Sequence, residues 1–462
     1  MDDIIIIGGG AAGMAAAVGA ADFFRQNGLQ KRVTVLEKMP RPGRKIMITG
    51  KGRCNFTNMK DWNDFSGHIH PKSTLLKPAY FALSPAKTVE WFKEAGLDSI
   101  VERGDRVFPA SYRSSDVVDT LQRALKQAGA CLLTGYEADS ISMRNDEEEG
   151  DYYMVRCSSG AIFTGRRLII ATGGLSYPST GSTGDGYKWA SRTGHKINRC
   201  FPSLTAIVPK SYKSVPQGSL TDETEDMLPG HIDRSVPLSE TGSLLNGNSL
   251  ENVSLTLWID GNPVQEEFGD MDFTDGGIEG PIGFRISRKC VNAIINGSKV
   301  QVALDLKPAV EKASLETRIS RLWKEIAEDR RSMNRQYRDR FRILLGKLMP
   351  AGLIRGFLKC NQSVDHKTLA KVLKCWKFDI AGYVGYERCV ITAGGISSDC
   401  ITAKSLESKL CKGMYFAGEI LDIDGDTGGF NLQIAFSTGM LAGQSAAKSL
   451  ACKQIHKPEH NR

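Results

Sequence analysis

Near the start of the chain, Gly8-Gly9-Gly10-Ala11-Ala12-Gly13 follows the apolar run Ile4 to Ile7 and opens a small-residue helix, the spacing of a dinucleotide-binding turn. Gly8 permits the tight turn, Gly10 lets backbone approach a diphosphate, and Gly13 lets the helix pack closely on the strand. The diphosphate would then rest on unpaired N–H groups around Ala11 and Ala12, at the positive end of the helix. Glu37 stands 24 residues beyond Gly13, after a second strand, where a carboxylate can accept both hydroxyls of an adenosine ribose. An acid there repels a 2′-phosphate, so the site suits FAD or NAD rather than NADP.

Two later turns separate FAD from NAD. Ala171-Thr172-Gly173-Gly174 ends a buried strand, as expected where backbone must pass close to a bound dinucleotide. Phe416-Ala417-Gly418-Glu419, and then Asp424-Gly425-Asp426-Thr427-Gly428-Gly429-Phe430-Asn431, again run from strand through glycines into a helix. Free N–H groups on a helix beginning near Gly429 would face the pyrimidine edge of a flavin and stabilise the negative charge of its reduced form. FAD is therefore the expected cofactor.

Four segments resemble the bacterial NAD(P)/FAD-dependent oxidoreductase flavoproteins, the BaiN-like and aminoacetone oxidase-like family. They are the N-terminal glycines; Pro42-Gly43-Arg44-Lys45 with Gly50-Lys51-Gly52-Arg53-Cys54-Asn55-Phe56-Thr57-Asn58; Ala171 to Gly174 with Thr180-Gly181-Ser182-Thr183-Gly184-Asp185-Gly186; and Thr392 to Gly443. Together they span nearly the whole chain, and the third also resembles fumarate reductase flavoproteins.

The resemblance implies an α/β fold: a Rossmann-like FAD-binding domain of the glutathione-reductase and fumarate-reductase type, with an inserted β-barrel and a helical subdomain. It would divide the chain into 1–198 and 395–462 for FAD, 199–306 and 375–394 for the barrel, and 307–374 for the helices. It implies Glu37 at the adenosine ribose with Lys38 beside it. It implies a loop from Arg44 to Asn58, including Lys45, Gly52, Arg53, Cys54 and Asn55, that wraps the diphosphate and approaches the flavin. Ala171, Thr172 and Gly173 join this cofactor set, as do Gly418 and Asp424; Glu419 would meet the ribityl chain, and Gly428, Gly429, Asn431 and Leu432 would border the isoalloxazine.

The cations of Arg44, Lys45 and Arg53 suit phosphate, the favoured reading over the charge of an ordinary surface. A thiol among glycines and bases, Cys54 could have a lowered pKa, but no second cysteine stands at dithiol spacing, which favours a packed, inert Cys54. The sequence departs from the family at Phe273-Thr274-Asp275-Gly276-Gly277-Ile278-Glu279-Gly280-Pro281, where many members have Phe-Thr-His-Phe-Gly-Leu-Ser-Gly-Pro. Asp275 and Glu279 could bind a cation or move a proton; a turn plus an N-cap for a helix near Pro281 is the favoured reading.

The positioning elements begin as βαβ: Ile4 to Ile7, a helix from Ala11 to Gln26 with Gly28 at its C-terminal cap, and Val33 to Leu36. Helices are predicted over Pro85 to Ala95 and Ser115 to Ala128, the latter capped by Ser114 or Ser115. A meander follows around the acidic turn Asn145 to Asp151, then a short strand at Leu168 to Ala171. The polar stretch Ser211 to Asn252 reads as a long surface loop, Ser254 to Phe273 as a hairpin, Trp376 to Thr392 as strand, Met414 to Ala417 as strand, and Phe430 to Leu450 as helix.

With 41% hydrophobic and 24% charged residues the chain reads as globular and soluble, and no run approaches the ~18 apolar residues that cross a bilayer. The balance of 60 basic to 52 acidic residues reads as a mild excess spread along the sequence, which argues against nucleic acid; the densest stretch, Arg318 to Lys359, reads as a solvated helix face. Scattered cysteines, 11 in all with no CxxC, fit free thiols in a reducing compartment, so a cytoplasmic location is expected, without a metal site or membrane partner. The expectation is a reductase passing a hydride between FAD and a small organic substrate, with NAD(P)H as its co-substrate. An FAD-dependent amine oxidase producing hydrogen peroxide, and a flavin-loaded redox-sensing protein, stay open. No histidine falls inside a cofactor motif, so no catalytic acid is assigned.

Overall fold

The computed structural model describes residues 1–147, 150–214 and 228–455. The chain divides by contacts into two compact units, Met1–Cys200 with Ile391–Arg462, and Phe201–Val390.

The first unit is built on β1 (Asp2–Ile7), α1 (Ala11–Gln26) and β2 (Val33–Glu37). Its parallel core runs in the order Met414–Phe416, Ile162–Ile170, β1, β2, Cys131–Thr134. Ile4, Ile5 and Ile6 are fully buried, since a parallel sheet is covered on both faces and its strands need no polar alternation. The helix Phe430–Ile455 crosses α1 at glycine contacts. A Cβ at Gly439 would lie 2.2 Å from the carbonyl oxygen of Ala12, and one at Gly443 would lie 2.0 Å from that of Ala16. Those two glycines lock the late segment of the chain against the early one.

The second unit contains a closed six-stranded antiparallel barrel. Ile207–Pro209, Gly277–Glu279, Asn262–Thr274, Ser249–Ile259, Val300–Asp305 and Trp376–Val384 pair in turn, and the last pairs back with the first. Leu255, Leu257, Phe273, Val302 and Trp376 fill its core. Four helices lie between its strands Val300–Asp305 and Trp376–Val384: Lys312–Glu328, Tyr337–Gly346, Ala351–Cys360 and Leu369–Lys374. Each keeps an apolar stripe inward, Leu315, Ile319 and Ile326 on the first and Phe341, Leu344 and Leu345 on the second. The basic excess is not spread along the chain as the sequence reading had it. Residues 307–374 hold 17 Lys and Arg against 7 Asp and Glu, a net of +10, leaving 43 against 45 elsewhere.

Other expectations are corrected too. The stretch 211–252 is not simply loop: His231–Ile232 is a strand, Glu240–Leu245 a helix and Ser249 the start of a barrel strand, while 215–227 lies outside the described residues. Part of the acidic turn, 148–149, lies outside them as well. The strand character read from Trp376 to Thr392 resolves into two strands, Trp376–Val384 and Ile391–Ile396. Ser114 does not cap its helix, because its hydroxyl donates to the Met47 carbonyl at 2.8 Å. Glu279 occupies the N-cap position of Gly280–Ile295 without capping it, because its carboxylate is held by Arg388.

Candidate functional site

The site begins at the end of β1. Gly8 has φ 107°, and a Cβ there would lie 2.4 Å from the carbonyl oxygen of Ala171, so the first and second glycine turns abut. A Cβ at Gly13 would lie 1.8 Å from the Gly8 carbonyl oxygen, the close approach of helix to strand expected of that residue. At Gly10, by contrast, a side chain would meet nothing within 4 Å, and no side chain caps α1. The positive helix end therefore opens onto free space at Gly10, with Ala11 half-buried and Ala12 buried behind it.

Glu37, buried at the end of β2, accepts from the Gly9 N–H at 2.7 Å and the Met39 N–H at 2.7 Å. Burial raises its pKa against those two hydrogen bonds, and the charges of Lys38 and of exposed Arg44 act downward on it. Two backbone amides thus aim the carboxylate beneath the glycine turn.

The late glycines come to the same unit's 55–58 segment. Gly428 and Gly429 have φ 124° and 97°, and a Cβ at Gly429 would lie 2.3 Å from the Thr57 carbonyl oxygen and 2.8 Å from Asn55 Oδ1. The Asn58 amide donates to the Gly428 carbonyl at 3.0 Å. Asn431 is spent on the loop itself, exchanging 2.8 Å hydrogen bonds with the backbone of Gly425, and Leu432 follows it half-buried. Gly418, with φ 81°, stands against α1, where a Cβ would lie 2.7 Å from that of Ala12.

Several polar residues named from the sequence have partners within the chain. Lys45 donates to Glu419 Oε2 at 2.5 Å and to the Ser176 hydroxyl, which in turn donates to Glu419 Oε1. The Thr392 N–H also donates to Glu419 Oε1, at 2.8 Å. Lys38 ion-pairs at 2.8 Å with Asp185, the first residue of the helix Asp185–Arg192. Arg53 turns to Glu102 at 3.7 Å and lies over the Phe108 ring at 4.9 Å, while Gly52 beside it faces open space. Burial pushes the Cys54 thiol up to about 12 against a hydrogen bond from Thr49, which makes it a protonated core thiol.

Sequence reasoning missed His68 and His70. The short strand Ile69–His70 pairs antiparallel with Asp424–Gly425, where Asp424 is fully buried. His68 Nδ1 lies 2.8 Å from Asp426 Oδ2 and His70 Nε2 lies 3.2 Å from Asp426 Oδ1. Burial would raise the Asp426 carboxyl, but the two imidazoles outweigh it and hold it down at about 2. His68 also stacks on Phe430, centroids 4.4 Å apart, at the first turn of the helix that follows Gly429. The available signal was His-Ile-His, an i, i+2 pair that a strand puts on one face.

The residues of this unit fit FAD. Beyond the open helix end at Gly10, Asn55 Oδ1 and Thr172 Oγ1 are buried without a hydrogen-bond partner, and both belong to the segments expected at the cofactor. Unmet buried polar atoms call for a partner of that kind.

The HI0933-like protein Rossmann domain model matches residues 2–445. The chain belongs to that family. It is an FAD-binding flavoprotein oxidoreductase of Rossmann-type fold with an inserted barrel and helices. Among relatives, the 3-dehydro-bile acid delta(4,6)-reductase of Clostridium scindens is 27% identical over 463 residues, covering 97% of this chain and 100% of the relative. The ribosomal RNA dihydrouridine synthase of Haemophilus influenzae is 27% identical over 461 residues, covering 96% and 98%. Of solved structures, the quinol fumarate reductase FrdA of E. coli aligns over 98% of this chain and 71% of its own at 15% identity with a TM-score of 0.46, too loose to bear on chemistry.

Proposed function

We propose that this chain is an FAD-dependent reductase, supplied with electrons by NAD(P)H, that adds hydrogen across a carbon–carbon double bond conjugated with a carbonyl. The observation that carries it is the set of backbone turns at Gly8–Gly13, Ala171–Gly173 and Gly428–Gly429, gathered in one unit with an uncapped helix end and two unmet polar atoms. Bound there, FAD would supply the hydride. The Gly8–Gly13 amides and Glu37 would hold its adenosine diphosphate half. Lys45, by fixing Glu419, would set the carboxylate that the ribityl chain meets.

The bond class is supported by the relatives' names. A delta(4,6)-reductase of a 3-dehydro-bile acid and a dihydrouridine synthase act on unrelated frameworks, but each saturates a double bond conjugated with a carbonyl. In that chemistry hydride goes to the β carbon and a proton to the α carbon. His68 and His70 are the groups of this chain suited to hold the proton. Asp426 binds His68 at Nδ1, leaving Nε2 as the atom that can carry it.

Purified protein should be yellow, and anaerobic NADPH or NADH should bleach its flavin band, with reoxidation on adding a conjugated enone. Colourless protein that takes up no FAD would overturn the reading. So would hydrogen peroxide release with an amine and no reaction with either nicotinamide.

A further inference from the structure

We propose that residues 330–347, in the helical part of the second unit, form a docking surface for the phosphate backbone of RNA. With the reductase reading above, on which this last step rests, the reduced double bond would be that of a base carried on a polynucleotide.

The charge is not uniform within the helices. On Lys312–Glu328 three of the four bases are neutralised by acids one turn on, Lys312 with Glu316, Arg321 with Glu325 and Lys324 with Glu328, and among the described residues only Arg318 is left without one. That face is the solvated, self-paired surface expected of an ordinary helix. The next segment differs. Arg330, Arg331, Arg335, Arg338, Arg342 and Lys347 are all exposed, and among the described residues none has a carboxylate within ion-pair distance. Arg335, Arg338 and Arg342 recur at three- and four-residue intervals, so they form one stripe leading onto and along the helix Tyr337–Gly346.

Arg331, Arg335 and Lys347 line a recess of 320 Å³ together with Glu325, Asp329 and buried Ser332. Five of the six exposed cations of 330–347 are guanidinium groups, whose planar forks match phosphate oxygens in pairs. Aromatic rings lie alongside. His366 stacks on Trp323 at 4.5 Å, Arg340 lies over the same indole at 5.5 Å, and Tyr337 bonds His366 Nδ1 at 3.1 Å while staying 43% exposed. Bases stack on exposed rings set among cations. An anionic membrane is the poorer partner, because Leu315, Ile319, Phe341, Leu344, Leu353 and Phe357 face inward and leave no apolar stripe to insert.

The test uses full-length FAD-loaded protein and a fluorescein-labelled 30-nucleotide RNA hairpin with a uridine loop, read by anisotropy from 50 to 300 mM KCl. The triple variant Arg335→Glu, Arg338→Glu and Arg342→Glu is compared with Lys93→Glu, Lys126→Glu and Arg144→Glu, which makes the same change of net charge on exposed residues of the other unit. Matching flavin spectra and melting curves show that both triples fold. We expect the first triple to bind at least tenfold more weakly at 150 mM KCl and to lower the salt slope by about 2, since each single-strand phosphate contact contributes about 0.7. The second should stay within about twofold of wild type. Equal weakening by both triples overturns the proposal, as does wild-type protein that ignores the hairpin at 50 mM KCl or that binds phosphatidylglycerol vesicles instead. Flavin bleaching of wild type by NADPH is read separately, so loss of the reductase reading and loss of the docking surface give different results.

Discussion

The ammonium of Lys45 meets the carboxylate of Glu419 at 2.5 Å, joining residues 374 positions apart, and both side chains are mostly shielded from water. Replacing the lysine leaves Glu419 with only Ser176 and the Thr392 N–H. Lys45→Met should therefore cost about 1–3 kcal/mol in urea unfolding, the penalty of a shielded polar group short of a partner. FAD should also wash out more readily on gel filtration, with Lys45→Arg in between. Unchanged unfolding in Lys45→Met would show that the ion pair contributes nothing.

Two alanines in one turn should separate folding from cofactor binding. At Gly10 the added methyl finds open space in the chain, so Gly10→Ala should melt within a few degrees of wild type as apoprotein while binding FAD at least tenfold more weakly. At Gly13 it would lie 1.8 Å from the Gly8 carbonyl oxygen, and such overpacking costs about 1–3 kcal/mol or more. Apoprotein melting and quenching of FAD fluorescence read the two effects. Equal FAD affinity in Gly10→Ala and wild type would mean that the helix end does not hold the diphosphate.

What the sequence made legible was local. The Gly8–Gly13 turn, the apolar β1 and the hairpin from Ser254 to Phe273, whose turn residues Asp260 and Gly261 both have positive φ, are each written within a few neighbouring residues. What it hid depended on partners far away. His68 meets Asp426 across 358 positions, and although His-Ile-His marks the imidazole pair locally, nothing near it in the sequence names the carboxylate. The caps expected at Ser114 and Glu279 obeyed a local rule, but the Met47 carbonyl and Arg388 took those side chains instead. The glycine turns of the candidate site were readable, whereas the Lys45–Glu419 and His68–Asp426 pairings within it were not.

Cys54 should resist labelling. Buried and with its thiol pushed up to about 12, it stays protonated through pH 9. Native protein treated with iodoacetamide at pH 8.5 should carry no adduct at Cys54 by peptide mass spectrometry, and unfolded protein should carry one. Native alkylation at that position would reopen a redox role.

Asp426 gives a pH dependence of definite sign. Its carboxyl is held at about 2, below the ordinary 3.8, so the stabilisation is present above the ordinary value and fades as pH falls toward 2. A shift of that size corresponds to about 2 kcal/mol. Asp426→Asn should thus be less stable than wild type by about 2 kcal/mol at pH 6 in guanidinium unfolding, with the gap narrowing between pH 4 and pH 3. A gap constant over that range would assign the loss to the hydrogen bonds alone.

Arg388 is the last test, and it concerns the departure at Asp275 and Glu279. Its Nε donates to Glu279 Oε1 at 2.5 Å, its Nη2 to Glu279 Oε2 at 3.0 Å and its Nη1 to Asp275 Oδ1 at 2.6 Å. The cation that these acids bind is the chain's own. The Glu279 side chain is only 11% exposed, so removing the guanidinium strands a shielded charge, a loss of about 3–5 kcal/mol for a broken buried pair. Arg388→Met should show that loss in thermal and urea unfolding. The double variant Arg388→Met with Glu279→Gln should recover part of it, because an amide needs no counter-charge. If instead Arg388→Met unfolds like wild type, the three side chains are a solvent-screened surface cluster, and Asp275 and Glu279 return as candidates for binding a cationic substrate.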